Sequence, residues 1–322
     1  MQKFEKYKVL IILQTALLFA VLVSVQSKSV LLIVISILLL ISVSIRVYLE
    51  RRISIQFKAL EKFEYDANTD DYSNTRPVII TPLPKYKHGI LFIHGFSAVP
   101  TEFDNLLSKF KDSGSFIYAP LLTGFGKGDL RGLKNVKYSD WVRDVLNSYD
   151  LMTNICESID VAGHSMGGLL VCKLAEFRKI NKIVLTAPYL TVHKSFSLKK
   201  KLLINPAIYF ILSFFLPYAI KSDRIGNEGA EKLSRFIYDI VPANCVKELW
   251  KLQEMVNYSK IQFNKMLIVL GGTDTTTVNS EVYEIFKPHE NVEFITLQTV
   301  GHNIIERAEE KDLDFIRKFL LN

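Results

Sequence analysis

Ser165 lies in the stretch VAGHSMGGLL, flanked by Gly163, Gly167 and Gly168. An apolar run through Ile159, Val161 and Ala162 leads in, and a helix-forming run from Leu169 to Glu176 leads out. Glycines on both sides of one serine make room for a tight strand-to-helix turn, in which the serine takes strained backbone angles and presents its hydroxyl. The same residues also suit a helix that simply begins at a capping serine. The nucleophile reading therefore depends on partners: a base, an acid that orients the base, and N–H donors for an oxyanion.

The chain has six histidines, so the base is sought by elimination. His88 opens a strand, His94 and His164 adjoin the glycines of two sharp loops, and His193 and His289 fall in polar loops. His302, in VGHNIIE, follows the last strand, from which a loop can return an imidazole over the sheet edge. Asp274, in IVLGGTD, ends the preceding strand. The chain order Ser165, Asp274, His302 is that of a nucleophile-elbow triad. One oxyanion donor is then the N–H of Met166, the residue after the nucleophile. The other comes from the HGFSAVP loop, where Phe96 follows His94-Gly95. Each such donor contributes about 3 kcal/mol to the transition state. His94 itself reads as a structural loop residue.

These residues need a scaffold, and the pattern supplies one. Short apolar runs at Ile90–Ile93, Phe116–Tyr118, Lys182–Ala187, Lys265–Leu270 and Val292–Leu297 alternate with helical patterns at Phe103–Phe110 and Trp141–Leu151. Strands alternating with helices predict an α/β fold, with a mostly parallel sheet covered on both faces. Between Tyr189 and about residue 263 no convincing core strand occurs. The run INPAIYFILSFFLPYAI, Ile204 to Ile220, has Lys194, Lys199, Lys200, Lys201, Lys221 and Arg224 around it, and is bounded by Pro206 and Pro217. It is too short to span a bilayer easily. A cap helix dipping into a lipid surface fits better, beside the alternative of an ordinary buried cap helix.

The 322 residues suffice for one large domain with appendages or for two small domains, at a formal net charge of +7. Two uncharged apolar runs open the chain, Val9 to Val25 and Val30 to Ile45, separated by Gln26-Ser27-Lys28-Ser29. They predict a transmembrane helical hairpin over residues 1–50. Lys3, Lys6 and Lys8 precede it and Arg46, Arg51 and Arg52 follow, which places both ends in the cytoplasm. A cleaved signal peptide with one anchor fits less well, because a second apolar run follows at once, and an interfacial or buried hairpin is the remaining alternative. Residues 51–85 are polar and read as a linker, with an edge strand at Val78-Ile79-Ile80. The main domain then runs over 86–322, with its cap at about 190–262. Cys156, Cys172 and Cys245 form no C-x-x-C, so no disulfide framework or metal site is expected. Gly124-Phe125-Gly126-Lys127-Gly128 lacks the spacing of a phosphate loop. The basic residues cluster beside apolar runs, which argues for a membrane and against nucleic acid. Nothing in the pattern sets an oligomeric state.

Taken together, HGFSAVPTEFDNL, YAPLLTGFGKGD, YSDWVRDV, GHSMGG, LTAP, GGTD and GH resemble the α/β-hydrolase superfamily, and within it the carboxylesterases and monoacylglycerol lipases. The resemblance covers about residues 86–190 and 263–322. It implies an eight-stranded sheet, a variable cap after the sixth strand, no cofactor, and ester hydrolysis through an acyl-enzyme on Ser165, with Asp274 and His302 completing the triad and Phe96 and Met166 as oxyanion donors. The substrate it implies, joined to the anchor, is an ester with an apolar acyl chain such as a monoacylglycerol or lysolipid. A thioesterase or amide hydrolase with the same triad, and a non-catalytic tethered binding protein, are the alternatives. The cap does not match closely, and Thr275-Thr276-Thr277 after Asp274 is more polar than the usual continuation.

Overall fold

The computed structural model describes residues 12–18, 20–21, 23, 25–26, 30–66, 71–81, 86–191, 197–220 and 236–322. The Lys3–Lys8 flank, Lys28 in the predicted hairpin loop, Pro82 and Pro84, His193, Lys194, and the Lys221 and Arg224 flank lie outside them.

Seven strands form the central sheet: β1 (Val78–Ile80), β2 (Tyr86–Ile93), β3 (Phe116–Ala119), β4 (Cys156–His164), β5 (Ile180–Thr186), β6 (Phe263–Gly271) and β7 (Val292–Leu297). Their spatial order is β7-β6-β5-β4-β2-β3-β1. Every pairing is parallel except β1 with β3, so the predicted edge strand is the antiparallel one. The implied count of eight is not met among the described residues. Upstream, Tyr65–Asp66 and Asp71–Tyr72 pair with each other as a separate two-residue ladder and do not extend the sheet.

Alternation along the strands divides the core. Leu91, Ile93, Val161, Ile183, Leu185 and Ile268 belong to one buried cluster, and Ile90, Phe92, Ala162, Val184, Leu267 and Val269 to the other. Both faces of the inner strands are thus covered, which is why they read as continuous apolar runs. The first cluster takes in Trp141, Val145 and Tyr149 of the helix Tyr138–Thr153. The second takes in Phe103 and Phe110, together with Leu313 and Ile316 of the C-terminal helix Glu310–Leu321. The pattern over Phe103–Phe110 resolves into one α-turn, Asp104–Leu107, between 3-10 turns.

The largest departure from the sequence reading is at the N-terminal side. The second apolar run does not stop at Ile45: helix α1 spans Val30–Leu60, 31 residues, through ten positions that composition reads as linker. Its apolar N-terminal part is exposed and is long and apolar enough to cross a bilayer. Its C-terminal part buries Leu49, Ile53, Gln56, Phe57 and Leu60, a stripe at helical spacing against the main core. Residues 12–18 are also helical, and Gln14 Nε2 donates to Ser44 Oγ of α1 at 3.0 Å.

The long excursion before β6 holds helices Ser197–Ile204 and Pro206–Phe215, then a two-stranded antiparallel ladder of Tyr218–Ile220 with Ile240–Pro242, outside the main sheet. Asn205 caps the second helix, its side chain accepting from the N–H groups of Ala207 and Ile208, and Pro206 opens it. This ten-residue helix packs against α1. It is not the buried alternative, because Phe210 is 80% exposed and Ile211 60%.

Candidate active site

Ser165 follows the last residue of β4, the middle strand of the sheet, and precedes helix α2 (Met166–Ala175). Its φ of 53° lies in the left-handed region, which a side-chain-bearing residue keeps only where its surroundings impose it. Here the imposition is by backbone: the Ser165 N–H donates to the Thr186 carbonyl, and the Ser165 carbonyl accepts from Leu169 and Tyr189. The flanking glycines are there for close approach. A Cβ on Gly167 would stand 1.9 Å from the Ile93 carbonyl oxygen, and one on Gly163 would stand 2.5 Å from the Gly167 carbonyl. No larger residue fits either place.

His302 lies beyond β7 and reaches back to this turn. Its Nε2 is 2.8 Å from Ser165 Oγ, and its Nδ1 is 2.9 Å from Asp274 Oδ2. With Nδ1–H donating to the carboxylate, Nε2 is left as the acceptor that faces the serine hydroxyl. The three residues that the sequence singles out, 137 and 28 positions apart, therefore form one hydrogen-bonded chain at the C-terminal edge of the sheet. In open α/β sheets that edge is where ligands bind.

Asp274 is held more firmly than its loop position suggests. Its Oδ1 accepts from the N–H groups of Thr276 and Thr277, and its Oδ2 accepts from Thr277 Oγ1 at 2.5 Å. Burial works to raise this carboxyl, but the bonds from His302, Thr277 and Thr276 outweigh it and keep the group below the usual aspartate range. The polar threonine run is thus a carboxylate clamp. Asn279 adds to it by donating from Nδ2 to the Gly271 carbonyl at the end of β6. The one available signal for these residues was the polarity of the run itself.

The HGFSAVP loop lies against the turn, with Gly95 packed on His164. Phe96 is buried and meets the rings of Phe125 and Trp141 edge-on, and Met166 opens α2. Glu102 accepts from the Gly95 N–H at 2.6 Å, a contact the sequence did not announce. His94 behaves as the structural residue expected. Its Nδ1 donates to the Gly95 carbonyl and its Nε2 accepts from the Leu122 N–H, a pairing that requires the neutral ring. Burial lowers its pKa to about 4, against the opposing pull of the Gly95 carbonyl and the Glu102 charge.

Residues 84–306 match the Hydrolase_4 family, described as serine aminopeptidase, S33. The chain belongs to this family. It is a serine hydrolase of the α/β-hydrolase type. The hydrolase is 32% identical over 108 residues to the thermostable monoacylglycerol lipase of Bacillus sp. (strain H-257), a match that spans 32% of this chain and 43% of that lipase. Solved structures share its fold at low identity. One, from work on the metagenome-derived lipolytic enzymes LipS and LipT, superposes with a TM-score of 0.63 at 20% identity, over 77% of this chain and 98% of the other. The monoacylglycerol lipase of Paleococcus ferrophilus gives 0.61 at 18%, over 76% and 97%. A soluble variant of the monoglyceride lipase of Saccharomyces cerevisiae, in complex with a substrate analog, gives 0.57 at 15%, over 76% and 90%.

Among the described residues no group of three or more His, Cys, Asp or Glu side chains could hold a metal ion. Cys156, Cys172 and Cys245 are free and buried, and burial raises all three thiols. They offer no competing nucleophile.

Proposed function

We propose that this hydrolase is a membrane-anchored esterase that cleaves esters with an apolar acyl chain, such as a monoacylglycerol or lysolipid. The observation that carries the reading is the chain from Ser165 Oγ through His302 to Asp274, with contacts of 2.8 and 2.9 Å, beginning at a serine held at a positive φ. Ser165 attacks the ester carbonyl as His302 Nε2 takes its proton, while Asp274 holds the imidazole and stabilises its charged form. The N–H groups of Phe96 and Met166 receive the oxyanion. His302 returns the proton to the leaving alcohol, and water then resolves the acyl-enzyme by the same route.

Two features support a substrate drawn from a bilayer. The exposed apolar part of α1 suits an anchor, and the cap helix that packs against α1 exposes Phe210 and Ile211, with Leu216 exposed just beyond its end. Residues 1–50 act as the anchoring hairpin, both of its ends on the cytoplasmic side with the hydrolase domain of 86–322, its cap over about 190–262. The Gln14–Ser44 contact is what a packed hairpin would make. The family description names an aminopeptidase, so an amide is the second bond to consider.

The deciding experiment is fluorophosphonate labelling of detergent-solubilised protein beside Ser165→Ala, followed by hydrolysis of esters, thioesters and amides of graded acyl length. The expected result is labelling lost in Ser165→Ala and turnover that favours medium or long acyl esters. Activity that falls as the acyl chain lengthens would overturn the lipid reading. Absence of labelling on folded protein would overturn the esterase reading.

A further inference from the structure

Gln56 is an amide on the core-facing stripe of α1, among Ile53, Phe57 and Leu60, and is 3% exposed. Both ends of its side chain are used. Oε1 accepts from the N–H groups of Asp239 and Ile240 at 2.7 and 2.6 Å, and Nε2 donates to the Ile240 carbonyl at 3.3 Å. A buried amide bonded in this way extends the short ladder as a strand would, and fixes the backbone it meets. On its other side Ile240 pairs with Ile220, the strand that follows the cap helix.

The residue before that clamp is Tyr238, fully buried and tied in three directions. Its hydroxyl donates to the Lys127 carbonyl at 2.6 Å, its ring meets Phe57 of α1 edge-on at 6.3 Å, and its N–H donates to the Ser97 carbonyl at 2.9 Å. Ser97 is the neighbour of Phe96 and sits at φ 65°, again in the left-handed region. A serine keeps such a conformation where outside contacts over-determine it. The Tyr238 N–H is one such contact, and it originates on a segment that Gln56 pins to α1.

We propose that Gln56 is a positioning residue for the hydrolase: through Asp239, Ile240 and Tyr238 it holds Ser97, and so keeps the Phe96 N–H where an oxyanion forms. The inference rests on the functional reading above. It makes the end of the anchor helix part of the active-site scaffold, and joins it to the cap through Ile240 and Ile220.

The test uses the full chain in detergent micelles, with 4-nitrophenyl butyrate as substrate and fluorophosphonate as a second probe. Gln56→Met keeps the volume and removes the hydrogen bonds. It is expected to lower kcat about tenfold, since small misplacements of a donor are costly, with the labelling rate falling in step. KM should stay within about twofold, because the ester itself is not contacted. Ile53→Ala loosens the same helix without touching the clamp, and should lower Tm while leaving kcat within about twofold of the parent. Gln56→Glu supplies the sharper readout. A neutral carboxyl accepts and donates as the amide does, whereas the ionised form cannot donate to the Ile240 carbonyl. Its kcat should approach the parent's at low pH and fall as that carboxyl ionises, a limb absent from the parent. Should Gln56→Met fail to fold, this profile decides, and one superimposable on the parent's overturns the inference. So does a kcat for Gln56→Met equal to the parent's, or a loss in Ile53→Ala that matches it. Turnover surviving in Ser165→Ala would instead overturn the reading of the site, and this inference with it.

Discussion

Among the described residues two hydrogen-bonded Ser–His–Asp chains occur, one toward each end of the same mostly parallel sheet. At the C-terminal end Ser165, His302 and Asp274 meet as described. Toward the N-terminal end Ser115 Oγ lies 2.9 Å from His88 Nδ1, and His88 Nε2 lies 2.9 Å from Asp160 Oδ2. The distances are nearly equal, and both serines are buried. What differs is the backbone beneath each serine. Ser165 is strained at a turn into a helix, with the HGFSAVP loop alongside. Ser115 has no positive φ and runs directly into β3, where no helix N-terminus offers N–H groups. Asp160, too, is spent on structure: it accepts from Asn181 Nδ2 and the Lys182 N–H, with the Lys182 ammonium 3.8 Å away. One chain staples three strands together, and the other faces the edge where α/β sheets bind ligands. Residue types and hydrogen-bond distances therefore do not set the two chains apart; the backbone beneath the serine does.

Substitutions can press on that contrast, beginning where it should be greatest. Ser165→Ala should remove turnover by about 10⁴-fold or more, measured as ester hydrolysis with labelling as the check. Asp274→Asn should come next, at about 10³- to 10⁴-fold in kcat, since the imidazole would lose the partner that sets its tautomer. Comparable losses from Ser115→Ala or Asp160→Asn would erase the distinction between the two ends.

Smaller effects sharpen it. His94 titrates at about 4 in the folded chain against 6.5 as the ordinary value, so the native state disfavours its proton. Its contribution is complete above pH 6.5 and drains away as pH falls through the window to about 4, a loss of about 3 kcal/mol. Urea unfolding as a function of pH should show this decline, and His94→Gln should flatten it. Asp160→Asn should cost about 2 kcal/mol in the same assay at neutral pH with kcat retained, because only a structural staple is weakened. Thr277→Val removes the hydroxyl from Asp274 Oδ2 and should reduce kcat about tenfold. Ser115→Ala closes the series, with kcat within about twofold of the parent.

That Ser165, Asp274 and His302 meet was legible in the sequence because each follows an apolar strand within a few residues, and because the other histidines could be set aside by their places. The N-terminal staple was not, since His88, Ser115 and Asp160 come from three separate strands or strand ends and no local pattern joins them. The helical stretch 51–60 was misread for a related reason. Its arginines and lysine are what a linker shows, while the buried stripe of Leu49, Ile53, Phe57 and Leu60 becomes apparent only when the helix is continued from the apolar run before it. Gln56 shares that stripe, and no periodicity marks an amide as a structural tie. The threonines after Asp274 stood out by their polarity, but their use as donors required the fold of the turn.

Because α1 runs without a break from its exposed apolar end to Leu60, it is a strut, not a leash. At 1.5 Å per residue its 31 residues measure about 46 Å, with no hinge between the two ends. Set in a bilayer, such a strut fixes the height and tilt of the catalytic edge above the surface. On the proposed reading, in which the ester lies in that bilayer, enzyme and substrate would meet by lateral diffusion in two dimensions, and the rate would follow the mole fraction of ester in the membrane and not the amount in the surrounding water.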